Sequence, residues 1–140
     1  MPLPDHLTLE IVTPERSVVS ERVDEVQVPG VEGSFGVLPG HTPLLASLQV
    51  GELWYRRGQV TSYVAVSFGF AEVLPDRVTI LAQIAEAAEE IDVTRAQEAE
   101  KRAQDRLSRP NLDMDFERAR IALMKSLIRL QVASRARLRG

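Results

Sequence analysis

The apolar residues of this chain change their repeat near residue 85, and that change limits the fold more than any other feature. Before it they recur at every second position, in short runs separated by Gly, Pro and Asp. After it they recur at spacings of three and four. A period of two sends side chains to alternate faces of a strand, whereas spacings of three and four line one face of a helix. Both periods in separate blocks predict a β unit followed by a helical one.

In the first block, residues 6–12 alternate cleanly and residues 23–28 do so less well. Residues 51–55 and 61–66 flank Arg57-Gly58-Gln59, a hairpin signal. Residues 68–74 lead through the turn pair Pro75-Asp76 into residues 78–81. Short strands at such close spacing predict a sandwich or barrel. Residues 85–90 form a helix-compatible link, and Asp92 is placed to cap a helix starting at Val93. Val93, Ala96, Ala99, Ala103 and Leu107 then form one stripe, with Glu98–Arg102 and Lys101–Asp105 as charge pairs on the wet side. Ser108-Arg109-Pro110-Asn111 breaks this helix. Asp113 or Asp115 would cap a second, with Phe116, Ala119, Leu123, Leu127 and Leu130 as its stripe. The expected architecture is an N-terminal β-sandwich of short strands, residues 1–87, followed by a C-terminal antiparallel two-helix hairpin, residues 88–140. An alanine-rich first stripe lets helices approach closely but buries little area, so the hairpin should open at modest cost.

Composition narrows the function. The chain has no cysteine, which excludes disulfide scaffolds, thiolate zinc sites and cysteine nucleophiles. Two histidines without clustered acids argue against a zinc site. There is no Gly-Lys-Ser/Thr phosphate loop, and Gly30, Gly33 and Gly36 do not have dinucleotide-fingerprint spacing. Ser34 or Ser67 with His41 is the nearest thing to a catalytic set, and nothing local supports it. The expectation is therefore no enzymatic activity of its own and no required cofactor. The N-terminus does not read as a signal or transit peptide, and no apolar run is long enough to span a bilayer. From Arg118 onward no acidic residue occurs, although the whole chain carries a net charge of -3. That basic end suits a solvated tail, a helix for nucleic acid or anionic membrane, or a helix that engages an acidic protein loop. It carries no interleaved aromatic residue, which argues against stacking on single strands.

Four glycines and three prolines fall between Pro29 and Pro43, in the order Pro29-Gly30-Val31-Glu32-Gly33-Ser34-Phe35-Gly36-Val37-Leu38-Pro39-Gly40-His41-Thr42-Pro43. With Leu44-Leu45 this run reads as a sculpted loop, since apolar residues alternate with the breakers. It closely resembles the signature loop of the epsilon subunits of F-type ATP synthases. The order of sandwich and helices extends the resemblance over essentially the whole chain. The resemblance implies a non-catalytic central-stalk subunit of a bacterial-type, proton-translocating synthase. It implies gamma, the rotor-ring c subunits, alpha and beta as partners, no nucleic acid, and membrane association only through the complex, on the cytoplasmic face of the bacterial plasma membrane. Glu32 matches a loop glutamate that meets the rotor ring, and His41 lies in a segment near gamma. The basic helix, with Arg135 and Arg137, would meet an acidic loop of beta.

Ile91-Asp92-Val93-Thr94-Arg95-Ala96 is similar to the motif of those epsilon subunits that bind ATP. The plain alternative is an N-cap followed by a solvated arginine. The resemblance adds Glu86, Arg102, Arg118, Lys125 and Arg129 to Ile91, Asp92, Arg95 and Ala96, with ATP as a regulatory ligand that is sensed and not hydrolysed. Lys125 departs from the arginine common at that position and lacks its planar fork. A free-standing binding module, using the basic helix on nucleic acid or anionic membrane, is the alternative function.

Overall fold

A computed structural model describes residues 3–109 and 116–139, with side chains as far as residue 136. It divides into two compact units, residues 1–87 and 88–140. The first is a β-sandwich of eight strands: β1 (Leu7–Val12), β2 (Ser17–Val23), β3 (Glu25–Gly30), β4 (Gly33–Val37), β5 (Leu44–Leu48), β6 (Gly51–Arg57), β7 (Val60–Leu74) and β8 (Arg77–Ala87). The strands run in the order β2-β1-β8-β7-β5-β3-β4, and β6 pairs with β3 and β7. All pairs are antiparallel except β1 with β8.

Strand β7 holds the sandwich together. Its first half pairs with β6, its second half with β5, and β8 follows it along the other edge. Between the halves the backbone turns a corner, with Phe68 at φ 59° and Gly69 at φ 119°. A Cβ on Gly69 would lie 2.0 Å from the Leu81 carbonyl oxygen, so no side chain fits there. Inward-facing Leu7, Leu9, Ile11, Val26, Val28, Leu53, Val64, Val66, Val73, Val78 and Ile80 fill the core, each essentially fully buried. Burial of one such side chain stabilises by roughly 1.5–3 kcal/mol. At one end, the Arg56 guanidinium joins Glu25 (3.2 Å) and Asp24 (3.5 Å) and donates to the Gly58 carbonyl, while the Gly58 amide donates to Asp24 (2.7 Å). Another ion pair, Arg77–Glu10, spans β8 and β1.

Several expectations need correction. The first part of the run from Pro29 to Pro43 is strand, not loop: β3 continues through Pro29 and Gly30, β4 covers Gly33–Val37 with only Val31-Glu32 turning between them, and residues 38–43 form the connection to β5. Residues 60–74 are one strand and not two, because Phe68-Gly69 bends the chain without ending its pairing. Residues 85–87 extend β8, since their backbone pairs with Val64–Val66, and only Ala88–Glu90 forms a helical turn. Strand pairing supplies here what local helix propensity cannot.

The second unit contains α1 (Val93–Leu107) and α2 (Phe116–Arg139), packed against each other. Asp92 caps α1: its carboxylate accepts from the Arg95 amide at 3.1 Å. The proposed caps Asp113 and Asp115 lie outside the described residues. The buried positions are Ala96 and Ala103 on α1, and Ala119, Ser126, Val132 and Ala133 on α2. Thus the second stripe is shifted from the expected one. Phe116 is 57% exposed and Leu127 44% exposed. A close helix contact accepts small side chains and turns the bulky ones outward. The pairs Glu98–Arg102 and Lys101–Asp105 do not close into ion pairs; these side chains are solvated, where such pairs gain little.

Candidate functional site

Two regions carry the residues singled out in the sequence. In the first unit, Glu32 sits exposed at the tip of the β3–β4 hairpin, beside Gly33 at φ 128°. The tip is held by the Val31 amide donating to the Ser47 carbonyl at 2.8 Å. His41 is half-buried in the following connection; its amide donates to the Leu38 carbonyl, and its ring Nδ1 donates to the Thr42 carbonyl at 2.6 Å. Both His41 contacts fix the turn, and neither links it to a serine. Ser67 is buried within β7, and Ser34 is exposed on β4. Among the described residues no group of His, Asp or Glu is arranged to hold a metal ion.

In the second unit the geometry follows from the seam. Ala96 and Ala103 are seven residues apart, as are Ala119, Ser126 and Ala133, so each set marks one line along its helix. The short connection makes α1 and α2 antiparallel neighbours. Contact of α2 with the turn at Ala88–Glu90, just before α1, agrees with that direction. Arg95 and Arg102 each immediately precede a seam residue on α1. Arg118 and Lys125 do so on α2, and Arg129 follows Ser126 by three. At ~100° per residue, all five positions rotate to the same side of their seams. In an antiparallel pair, that side is one shared flank of the hairpin. Arg106, three residues after Ala103, falls there too, although the sequence reading passed over it. Its signal was available: spacing from the seam, once the seam is known.

The flank is not uniform. Arg95, Arg102 and Arg118 are exposed, whereas Lys125 and Arg129 are half-buried and already engaged in polar contacts. Ile91 and Ala96 are buried and fasten the start of α1. Asp92 is occupied as the cap. Glu86 belongs to the first unit, half-buried on β8. Arg135 is half-buried and engaged, and the Arg137 side chain lies outside the described ones. On the opposite flank, Arg120 and Glu117 form an ion pair at 2.6 Å. Hydrogen bonding to Arg120 holds the Glu117 carboxyl below the usual carboxylate range, and its reciprocal raises the Arg120 guanidinium. No helix among the described residues is long and apolar enough to cross a membrane.

Comparison with known proteins accounts for both units. The family model for the beta-sandwich domain of the ATP synthase delta/epsilon chain matches residues 6–88, and that for its long alpha-helix domain matches residues 89–134. The ATP synthase epsilon chain of Syntrophobacter fumaroxidans is 54% identical over 131 residues, covering 94% of this chain and 98% of its own length. That of Herpetosiphon aurantiacus is 53% identical over 127 residues, covering 91% and 93%. A chain in the Euglena gracilis mitochondrial ATP synthase structure, OSCP/F1/c-ring in rotational state 1, superposes with a TM-score of 0.80 at 25% identity, covering 99% of this chain and 84% of that one. These matches span sandwich and helices together, so the basic helix is not supported as a free-standing nucleic-acid or membrane module. The chain belongs to the ATP synthase delta/epsilon chain family, as an epsilon-type, non-catalytic stalk subunit of the synthase.

Proposed function

We propose that this subunit couples and regulates through two separate surfaces. The sandwich, through the Glu32 tip and the His41 connection, fastens to the rotor ring and to gamma, so that rotation driven by proton flow passes into the catalytic head. The hairpin is a two-state regulator. Closed, it permits turnover; extended along gamma, its basic second helix, including Arg135 and Arg137, reaches acidic surface on beta among the alpha and beta subunits and suppresses ATP hydrolysis. The assembly sits peripherally on the cytoplasmic face of a bacterial plasma membrane.

ATP is the proposed signal that keeps the hairpin closed. The observation that carries this is the shared flank of Arg95, Arg102, Arg118, Lys125 and Arg129, with cations contributed by both helices. Cations brought together repel, and a triphosphate offsets that repulsion while accepting several charge-assisted hydrogen bonds. A ligand that touches both helices only when they lie together favours that arrangement by its differential affinity and no more. Titration of the full chain with ATP, followed by calorimetry and by the distance between labels on α1 and α2, tests this. Binding with shortening of that distance, weakened in Arg95→Ala, is expected. No binding at millimolar ATP, or equal binding by Arg95→Ala, would refute the sensor while leaving the family assignment intact.

A further inference from the structure

Within the helical unit, charge is sorted by element. From Arg118 to the end of α2 every charged residue is basic. The turn Ala88–Glu90 carries Glu89 and Glu90 and no base. Between that turn and Glu98 the only other acid is Asp92, whose carboxylate already caps α1. The antiparallel seam decides which part of α2 lies beside the turn. Ala119, near the start of α2, is 1% exposed and needs the far end of α1, at Ala103, against it. One seven-residue step along both helices brings Ser126 level with Ala96, and a second brings Ala133 level with Glu89. Contact of α2 with Ala88–Glu90 agrees with that register. Val132, just before Ala133, faces the same side of the seam as the cationic flank, yet it is 0% exposed. Besides α1, the turn is the element of this unit that α2 touches, and Ala88 and Ile91 are buried there. Arg129 and Arg135 stand three residues before and after Val132, so they share its face. Glu89, Glu90, Arg129 and Arg135 are each already engaged in an interaction.

We propose that the turn Ala88–Glu90 is an internal counter-anion for α2, an autoinhibitory latch in which Glu89 and Glu90 stand beside Arg129 and Arg135 and hold the hairpin closed. It rests on the reading of the hairpin as a two-state element and supplies the contact that opposes opening. The alanine positions of the seam bury little area, so the ionic end contact weighs more in the balance than it would beside a large core. The turn also mimics what the extended helix would meet. An acidic surface on a partner captures α2 only by offering more than these two carboxylates do, which sets a threshold for release. The latch opposes the cationic flank, since repulsion among the flank cations favours opening and the two acids lower it.

The test follows the distance between labels on α1 and α2 in the isolated full chain without nucleotide, over a range of salt. The paired change Glu89→Gln with Glu90→Gln should raise the ratio of open to closed hairpin about two- to tenfold at low salt. That difference from wild type should vanish at high salt, where exposed pairs are screened. Reversal by Glu89→Lys with Glu90→Lys should open the hairpin further, and adding Arg129→Glu with Arg135→Glu should close it again. A purely structural role for the turn would show neither the salt dependence nor the rescue. If the lysine variant loses helical circular dichroism, the glutamine variant carries the measurement. An unchanged open population at low salt, or a change that persists equally at high salt, overturns the latch. The same variants in the assembled synthase should hydrolyse ATP more slowly than wild type. Opening in the isolated chain with unchanged hydrolysis would keep the latch and remove the inhibitory reading of the extended helix; the reverse result would remove the latch and keep that reading.

Discussion

Single residues here act through backbone geometry or surface chemistry, and substitutions separate the two. Gly69 has a positive φ and a carbonyl where a Cβ would stand. Gly69→Ala should destabilise by ~3 kcal/mol or more, read from denaturant unfolding, because the clash is with backbone that cannot swing aside. A loss below ~1 kcal/mol would mean that the corner relaxes. Glu32→Ala should move stability by no more than ~0.5 kcal/mol while weakening assembly or coupling. A large stability loss in the isolated subunit would contradict an interface role. Glu117 adds a pH dependence of known sign. Its folded carboxyl titrates lower than in the unfolded chain, so its contact with Arg120 is present above the unfolded value and is lost as pH falls through the folded one. Site-resolved NMR titration of the Glu117 carboxyl should give a midpoint below that of a peptide glutamate, and Arg120→Ala should restore it.

Elements differ in how firmly they are held. The Asp92 cap satisfies an otherwise open amide of α1, and Asp92→Ala should cost about 1 kcal/mol of helix stability. The buried positions of α1 and α2 are mostly alanine, with Val132 and with Ser126, whose hydroxyl donates to the Leu123 carbonyl of its own helix. Ala103→Leu should overpack that line by ~1–3 kcal/mol and shift the hairpin towards opening, seen as lengthening between labels on the helices. The sequence revealed these elements unequally. The change of period marked strands and helices, and Asp92 announced its cap. The long β7 was not readable, because Phe68-Gly69 looks locally like an ending when it is a bend with continuous pairing to β8. Residues 85–87 suit a helix by propensity alone, yet strand pairing to Val64–Val66 decides their state. Phe116 and Leu127 misled for another reason: periodicity assigns apolar bulk to the buried side, and a close seam selects for small residues instead. The grouping of cations on one flank became visible only once that seam was located, since Arg106 joins the others by its angle and not by any motif.

At the scale of the molecule, the core of residues 1–87 is complete in itself: the fully buried Leu, Ile and Val side chains of its main cluster all come from its own strands. A fragment ending near Ala87 should fold cooperatively and retain binding to gamma, whereas a molten or insoluble fragment would show that residues beyond the boundary are needed. The alanine seam has a thermal consequence as well. Heat-capacity change on unfolding follows the apolar surface exposed, and separating helices whose buried positions are mostly alanine exposes less than unfolding the Leu, Ile and Val core of the sandwich. Melting of the sandwich should therefore trace a strongly curved stability profile, while opening of the hairpin should give a nearly straight van't Hoff plot. If the hairpin acts as the proposed two-state element, its set point should hold in the cold, where a switch hinged on a large aliphatic core would drift.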